Sequence, residues 1–336
     1  MSDEDDYLFD KKGDPDPDVR ELENVLGTAR YVSPATPRVA RVARVARVEG
    51  GGSAAPSRQR RKTALLLAPL ALAALVLLAL ALRDRRPPGP SLGVTRLDGA
   101  PRLDTRTLEG QGRLGVGGWL ETDQASRAEI ELAQIGRVEV GPGSRVRLVV
   151  VAPNEQRLEL ERGFIEAHVR AVPRLFVVDT PSARATDLGC AYRLEVVPPG
   201  APNGGVTMLR VTSGAVELAG EGRQAHVPAG AACETRPTRG PGCPYFEDAT
   251  EPFKTALRSV DFDPEPSPSA FDTLLTTARV RDTLTLWQLV WRVSPEARQR
   301  VLGRVVDLVP PLPGTDLASG TPLAFQKYQD QLMKTW

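Results

Sequence analysis

Residues 63–82 read TALLLAPLALAALVLLALAL and carry no charged side chain. At about 1.5 Å per residue this stretch reaches roughly 30 Å, the thickness of a bilayer's hydrocarbon core. A backbone in lipid must satisfy its hydrogen bonds internally, so the stretch predicts one membrane-spanning helix. Pro69 falls in its second turn, where it removes one donor without preventing the helix. Nothing else in the chain is apolar enough to surround such a helix as a core element. A cleaved signal peptide does not fit either, because the run leads into Arg83-Asp84-Arg85-Arg86 with no small-residue cleavage site.

Charge around the span sets its direction. Arg58, Arg60, Arg61 and Lys62 precede it, reinforced by Arg38, Arg41, Arg44 and Arg47, while Arg83, Arg85, Arg86 and Arg96 follow. The bias predicts an N-terminus in the cytoplasm and residues after 82 in the periplasm of a bacterial inner membrane. All three cysteines, Cys190, Cys233 and Cys243, lie after the span, where an oxidising compartment permits one bridge. Their spacing leaves three pairings open.

The N-terminal segment, 1–32, is acidic, with ten acidic and four basic side chains in its first 30 residues. Within it, DPDPDVRELENVLGTARY predicts a short helix, capped by Asp16 or Asp18 and stopped at Gly27. Val19, Leu22, Val25 and Leu26 share one face and form a candidate partner-binding surface. One such helix cannot make a core alone. Residues 33–62 form a basic linker with tandem Val-Ala-Arg triplets, which would lie favourably against anionic headgroups.

After the span and a stiff Pro/Gly exit (83–93), period-two patterning runs over 94–248. Ala128, Ile130 and Leu132 alternate with Arg and Glu, as do Val138 and Val140, Leu158 and Leu160, and Tyr192, Leu194 and Val196. Turn signals recur at roughly ten-residue spacing, for example Arg162-Gly163, Asn203-Gly204-Gly205 and Ser213-Gly214. The pattern predicts a mainly β domain of short antiparallel strands, solenoid-like or sandwich-like. Residues 249–268 read as a linker, and 269–336 as an α-helical region with helices near 269–280, 282–292, 295–308 and 322–335. Trp287 and Trp291 fall on one apolar helical face, which packs internally or serves a partner.

The net charge is +1, so no overall field argues for direct nucleic-acid binding. No phosphate-binding glycine loop, nucleophile elbow or paired-cysteine metal motif is present. His168 and His226 are the only histidines, and both sit in alternating strand patterns. An acidic run from Asp10 to Glu21 fails as a calcium loop, since Lys12 takes a ligand position and Pro15 replaces the turn glycine. No enzyme, metal or cofactor is expected.

The stretch GWLETDQASRAEIELAQIGRVEVGPGSRVRL resembles the opening of the FecR domain. LELERGFIEAHV (158–169), FVVDTP (176–181), LGCAYRLEV (188–196), VTSGAVEL (211–218) and VPAGAAC (227–233) follow in the family's order, with Cys190 where Thr is usual. The resemblance implies a single-pass inner-membrane regulator whose cytoplasmic segment holds or assists an extracytoplasmic-function sigma factor while the β domain senses a signal outside. Because Cys190 and Cys233 lie in these motifs and Cys243 in the tail, the resemblance favours a Cys190–Cys233 disulfide. The competing reading is a membrane-anchored scaffold or ligand-binding module for an envelope protein or cell-wall polymer, without sigma-factor control.

Overall fold

The computed structural model describes residues 89–336, apart from Ala171 and the side chain of Ala318. The apolar stretch 63–82 and the helix face of Val19, Leu22, Val25 and Leu26 lie outside the described residues. Among those described, no helix is long and apolar enough to cross a membrane.

The described strands are β1 (Ser91–Asp98), β2 (Arg102–Leu103), β3 (Arg106–Thr107), β4 (Gln111–Gly115), β5 (Trp119–Glu121), β6 (Arg127–Glu131), β7 (Gly136–Val140), β8 (Arg145–Ala152) and β9 (Glu155–Val169). They continue with β10 (Phe176–Asp179), β11 (Arg184–Asp187), β12 (Ala191–Val196), β13 (Thr207–Ser213), β14 (Ala215–Gly220), β15 (Arg223–Pro228), β16 (Ala231–Arg236), β17 (Gly240–Pro241) and β18 (Tyr245–Phe246). Two sheets result. The first runs β4-β1-β6-β7-β9-β12-β13-β16, with β17 and β18 on its end. The second runs β3-β2-β5-β8-β9-β10-β11-β14-β15. Every pairing among these strands is antiparallel except β9 with β10. The architecture is therefore a two-sheet sandwich.

Strand β9 belongs to both sheets. Its first half pairs with β8 and β10 in the second sheet, and its second half with β7 and β12 in the first. Arg162-Gly163, which the spacing marks as a turn, is instead the bend of one continuous strand. Gly163 has φ +82°, and a Cβ there would stand 2.3 Å from Ser144 Oγ, so the bend needs glycine. Ser144 Oγ accepts the Phe164 N–H at 2.9 Å and so fastens the crossing.

Alternation puts one set of side chains between the sheets. Leu120, Ile130, Val138, Val146, Leu158, Leu160, Ile165, Leu194 and Val216 are all fully buried there. Burying each is worth about 1.5–3 kcal/mol. The intervening Arg and Glu residues pair across strands on the outer faces. Arg145 meets Glu121 at 2.8 Å and Glu161 at 2.7 Å, Arg184 meets Asp179 at 2.7 Å, and Arg193 meets Glu166 at 2.8 Å. Surface pairs add about 0–1 kcal/mol each, so these ladders mainly neutralise one another and keep the faces soluble.

The helices are α1 (Glu251–Phe262), α2 (Pro268–Thr277), α3 (Thr283–Val290), α4 (Pro295–Leu308) and α5 (Pro322–Met333). Thr250, Ser267, Ser294 and Thr321 each cap one by accepting a backbone N–H, with Pro in the first turn. Helix α1 occupies most of the 249–268 stretch read as a linker. It forms because Phe253, Ala256, Leu257 and Phe262 share a buried face. Trp287, Tyr328, Leu332, Val301 and Val305 join this face in a second apolar core.

Candidate functional site

The sandwich and the helices meet at the edge of the second sheet, where β15 has one side without a strand partner. Gln288 of α3 closes that edge. Its Nε2 donates to His226 O at 2.8 Å, and its Oε1 accepts the His226 N–H at 3.2 Å. Arg292, just beyond α3, donates to Pro241 O at 3.0 Å and to Gln224 O. An amide and a guanidinium thus replace the missing strand.

Behind this seam lies a buried charge pair. Asp261 of α1 stands 3.9 Å from Arg292, with their side chains 4% and 13% exposed. Asp261 Oδ2 accepts the Cys243 N–H at 2.7 Å, and its main-chain oxygen accepts from Arg223 at 3.1 Å. Burial pushes the Asp261 carboxyl above the ordinary carboxylate range, against the pull of Arg292.

In front of the seam a cleft of about 600 Å³ opens between β14 and β15 on one wall and α3 and α5 on the other. Glu217, Gln224 and His226 project from the sheet wall, and Trp287, Trp291 and Trp336 line the helical wall. Trp287 is buried, with its ring 5.7 Å from Tyr328 and 6.1 Å from Phe325. It holds Trp291 edge-on at 6.1 Å and 90°, and Phe325 lies 5.7 Å from Trp291 on the other side. Trp291 nevertheless stays 56% exposed. Trp336 donates its indole N–H to Thr283 Oγ1 at 3.2 Å. Arg174 and Glu217 form an ion pair at 3.3 Å beside the cleft, so their charges cancel. A wider basin of about 700 Å³ at one end of the sandwich is lined by Arg137, His168 and Arg170 beside Cys190.

Neither cysteine of the expected bridge is bonded. Cys190, Cys233 and Cys243 are free, buried thiols. Cys190 precedes β12 and Cys233 lies in β16, with β13 between these strands. Two strand spacings are about 9.5 Å, beyond the roughly 7 Å that a disulfide spans. The expected Cys190–Cys233 bridge is corrected on that ground. Cys190 Sγ instead donates to Asp187 Oδ2 at 2.6 Å, and Cys233 Sγ to Gly242 O at 3.2 Å. Burial pushes all three thiols up, away from thiolate chemistry. Among the described residues no group of three His, Cys, Asp or Glu is placed to hold a metal ion.

The Thr122-Asp123 pair of the opening stretch has a structural task. Thr122 Oγ1 donates to Gly141 O at 2.6 Å and accepts the Ser144 N–H at 2.9 Å, inside the sandwich. Asp123 accepts from Ser126 Oγ at 2.7 Å and from the Ala125 N–H at 2.9 Å, which hold its carboxyl below the usual range. The sequence marked Trp287 and Trp291 as one face. It carried no mark for Gln288, Arg292, Gln224 or Trp336 as partners, because pairs such as His226 and Gln288 are 62 residues apart.

Residues 119–217 match the family model described as FecR protein. No curated protein matches the chain at a significant level. Two crystal structures of a candidate anti-sigma factor from Parabacteroides distasonis, at 1.65 and 2.50 Å resolution, align with 18% identity and a TM-score of 0.33. The alignment covers 42% of this chain and 64% of those chains, which is less than two thirds of their length.

Proposed function

We propose that the protein is a single-pass inner-membrane regulator of an extracytoplasmic-function sigma factor, because residues 119–217 match the FecR family model. The FecR match at 119–217 carries this reading. The uncharged run 63–82 and the basic flank before it support an anchor with the N-terminus in the cytoplasm. The face of Val19, Leu22, Val25 and Leu26 would then meet the sigma factor, and the sandwich and helices would sense the periplasm.

Copurification tests the proposal. The tagged full chain, extracted in detergent, should retain a sigma factor, and Leu22→Asp should release it while the chain stays folded. If no sigma factor is enriched, the reading is wrong. Alkaline phosphatase fused after Trp336 should be active, and an inactive fusion overturns the orientation. The cleft favours a second reading, a membrane-anchored module that binds an envelope ligand without sigma-factor control. Deleting residues 1–30 separates the two, since transcription changes under the first and stays flat under the second.

A further inference from the structure

We propose that the cleft between β14–β15 and α3–α5 binds a neutral oligosaccharide, with the exposed face of Trp291 as its stacking platform. The inference rests on the reading of this part of the chain as a sensor, and it names the ligand class. The volume of about 600 Å³ lies within the range of small-molecule sites.

Three observations select the class. The first is rigid aromatic surface. Trp291 is 56% exposed, yet Trp287 and Phe325 fix its plane from two directions, so little ordering remains to be done on binding. Its indole offers a flat apolar face of the kind the C–H side of a pyranose ring covers. The second is the polar complement. The side-chain amides of Gln224 and Gln329 line the cleft and make no hydrogen bond among the described residues. A planar amide presents a donor and an acceptor together, which matches a pair of neighbouring sugar hydroxyls.

The third observation is what the cleft rejects. Arg174 is paired with Glu217 at 3.3 Å, so among the described residues the cleft offers no unpaired guanidinium to a phosphate or carboxylate. Strand addition by a peptide needs a free edge, and Gln288 and Arg292 already occupy the His226 and Gln224 edge groups of β15. A ligand that is uncharged, ringed and rich in hydroxyls satisfies all three conditions.

Titration of the full chain in detergent with chitotetraose, cellotetraose and maltotetraose tests this, read by tryptophan fluorescence and calorimetry. At least one should give a saturable one-to-one isotherm. Trp291→Ala should weaken it at least tenfold, as should Gln329→Ala, whose exposed site leaves folding intact. Trp119→Ala, in a strand remote from the cleft, should bind as the unaltered chain does. Absence of binding to all three sugars at millimolar concentration overturns the inference, as does undiminished binding in both cleft variants. The sigma-factor capture is read separately. Capture without sugar binding sinks only this inference, and sugar binding without capture sinks only the sigma-factor reading.

Discussion

Replacing Gly163 by alanine should destabilise the sandwich by about 2–5 kcal/mol, for two separable reasons. The left-handed backbone at φ +82° costs an L-residue about 1–2 kcal/mol. The new methyl group would also stand 2.3 Å from Ser144 Oγ and 2.5 Å from Ser144 Cα. A rotamer change can move the hydroxyl, but the Cα belongs to the backbone of a neighbouring segment. Forcing that contact adds about 1–3 kcal/mol. Gly222 supplies the control, since it has φ +71° and open space around a notional Cβ. Gly222→Ala should therefore show the backbone cost alone, about 1–2 kcal/mol. Urea unfolding of both variants, followed by circular dichroism at unchanged denaturant slope, measures the difference. Equal losses in the two would refute the claim that the sheet crossing at Gly163 is sterically closed.

Asp261→Ala should cost about 3–5 kcal/mol by leaving Arg292 buried without its counter-charge, while Asp261→Asn, which still accepts the Cys243 N–H, should cost less by the same unfolding assay. Two carboxylates should respond to pH in opposite senses. Asp248, hydrogen-bonded by Arg279 and held below its ordinary 3.8, contributes stability that is present above that value and lost as pH falls through its lower folded pKa. Asp261, raised by burial, makes stability decline as pH climbs from 3.8 through its raised folded pKa; unfolding curves from acid to neutral pH should flatten there in Asp261→Asn and be unchanged if the idea is wrong. Cys190, Cys233 and Cys243 should resist an aromatic disulfide reagent in the folded chain and all react after unfolding, and rapid native labelling would contradict their burial.

Much of the sandwich was readable from alternation, because a half-buried strand imposes period two on its own residues. Leu158 and Leu160, or Tyr192, Leu194 and Val196, needed no tertiary information to be placed inward. Of the helices after residue 267, α4 was readable from its cap, where Ser294 precedes Pro295, and α3, which has no such cap, from the apolar face that carries Trp287 and Trp291. Helix α1 was hidden by its neighbour. The Pro-rich stretch 264–268 suggested a linker and drew attention from the apolar face of Phe253, Ala256 and Leu257 just before it. At Arg162-Gly163 a local signal was correct about the backbone and silent about its use, since positive φ serves a reversal and a sheet crossing alike. The cysteine pairing failed because motif membership says nothing about which strands are neighbours. The cleft was the least legible feature. Its walls come from segments more than 60 residues apart, and only folding brings Gln288 to His226.

The double membership of β9 bears on how the chain is made. A ribosome releases β1 to β8 first, and β7 and β8 then each lack the neighbour that β9 supplies. When β9 emerges, it offers template edges to both layers, and β10 and β12 later settle on its free sides. Folding of this domain should therefore advance in a step as residues 155–169 leave the ribosome, with the earlier strands waiting and the later ones added in turn.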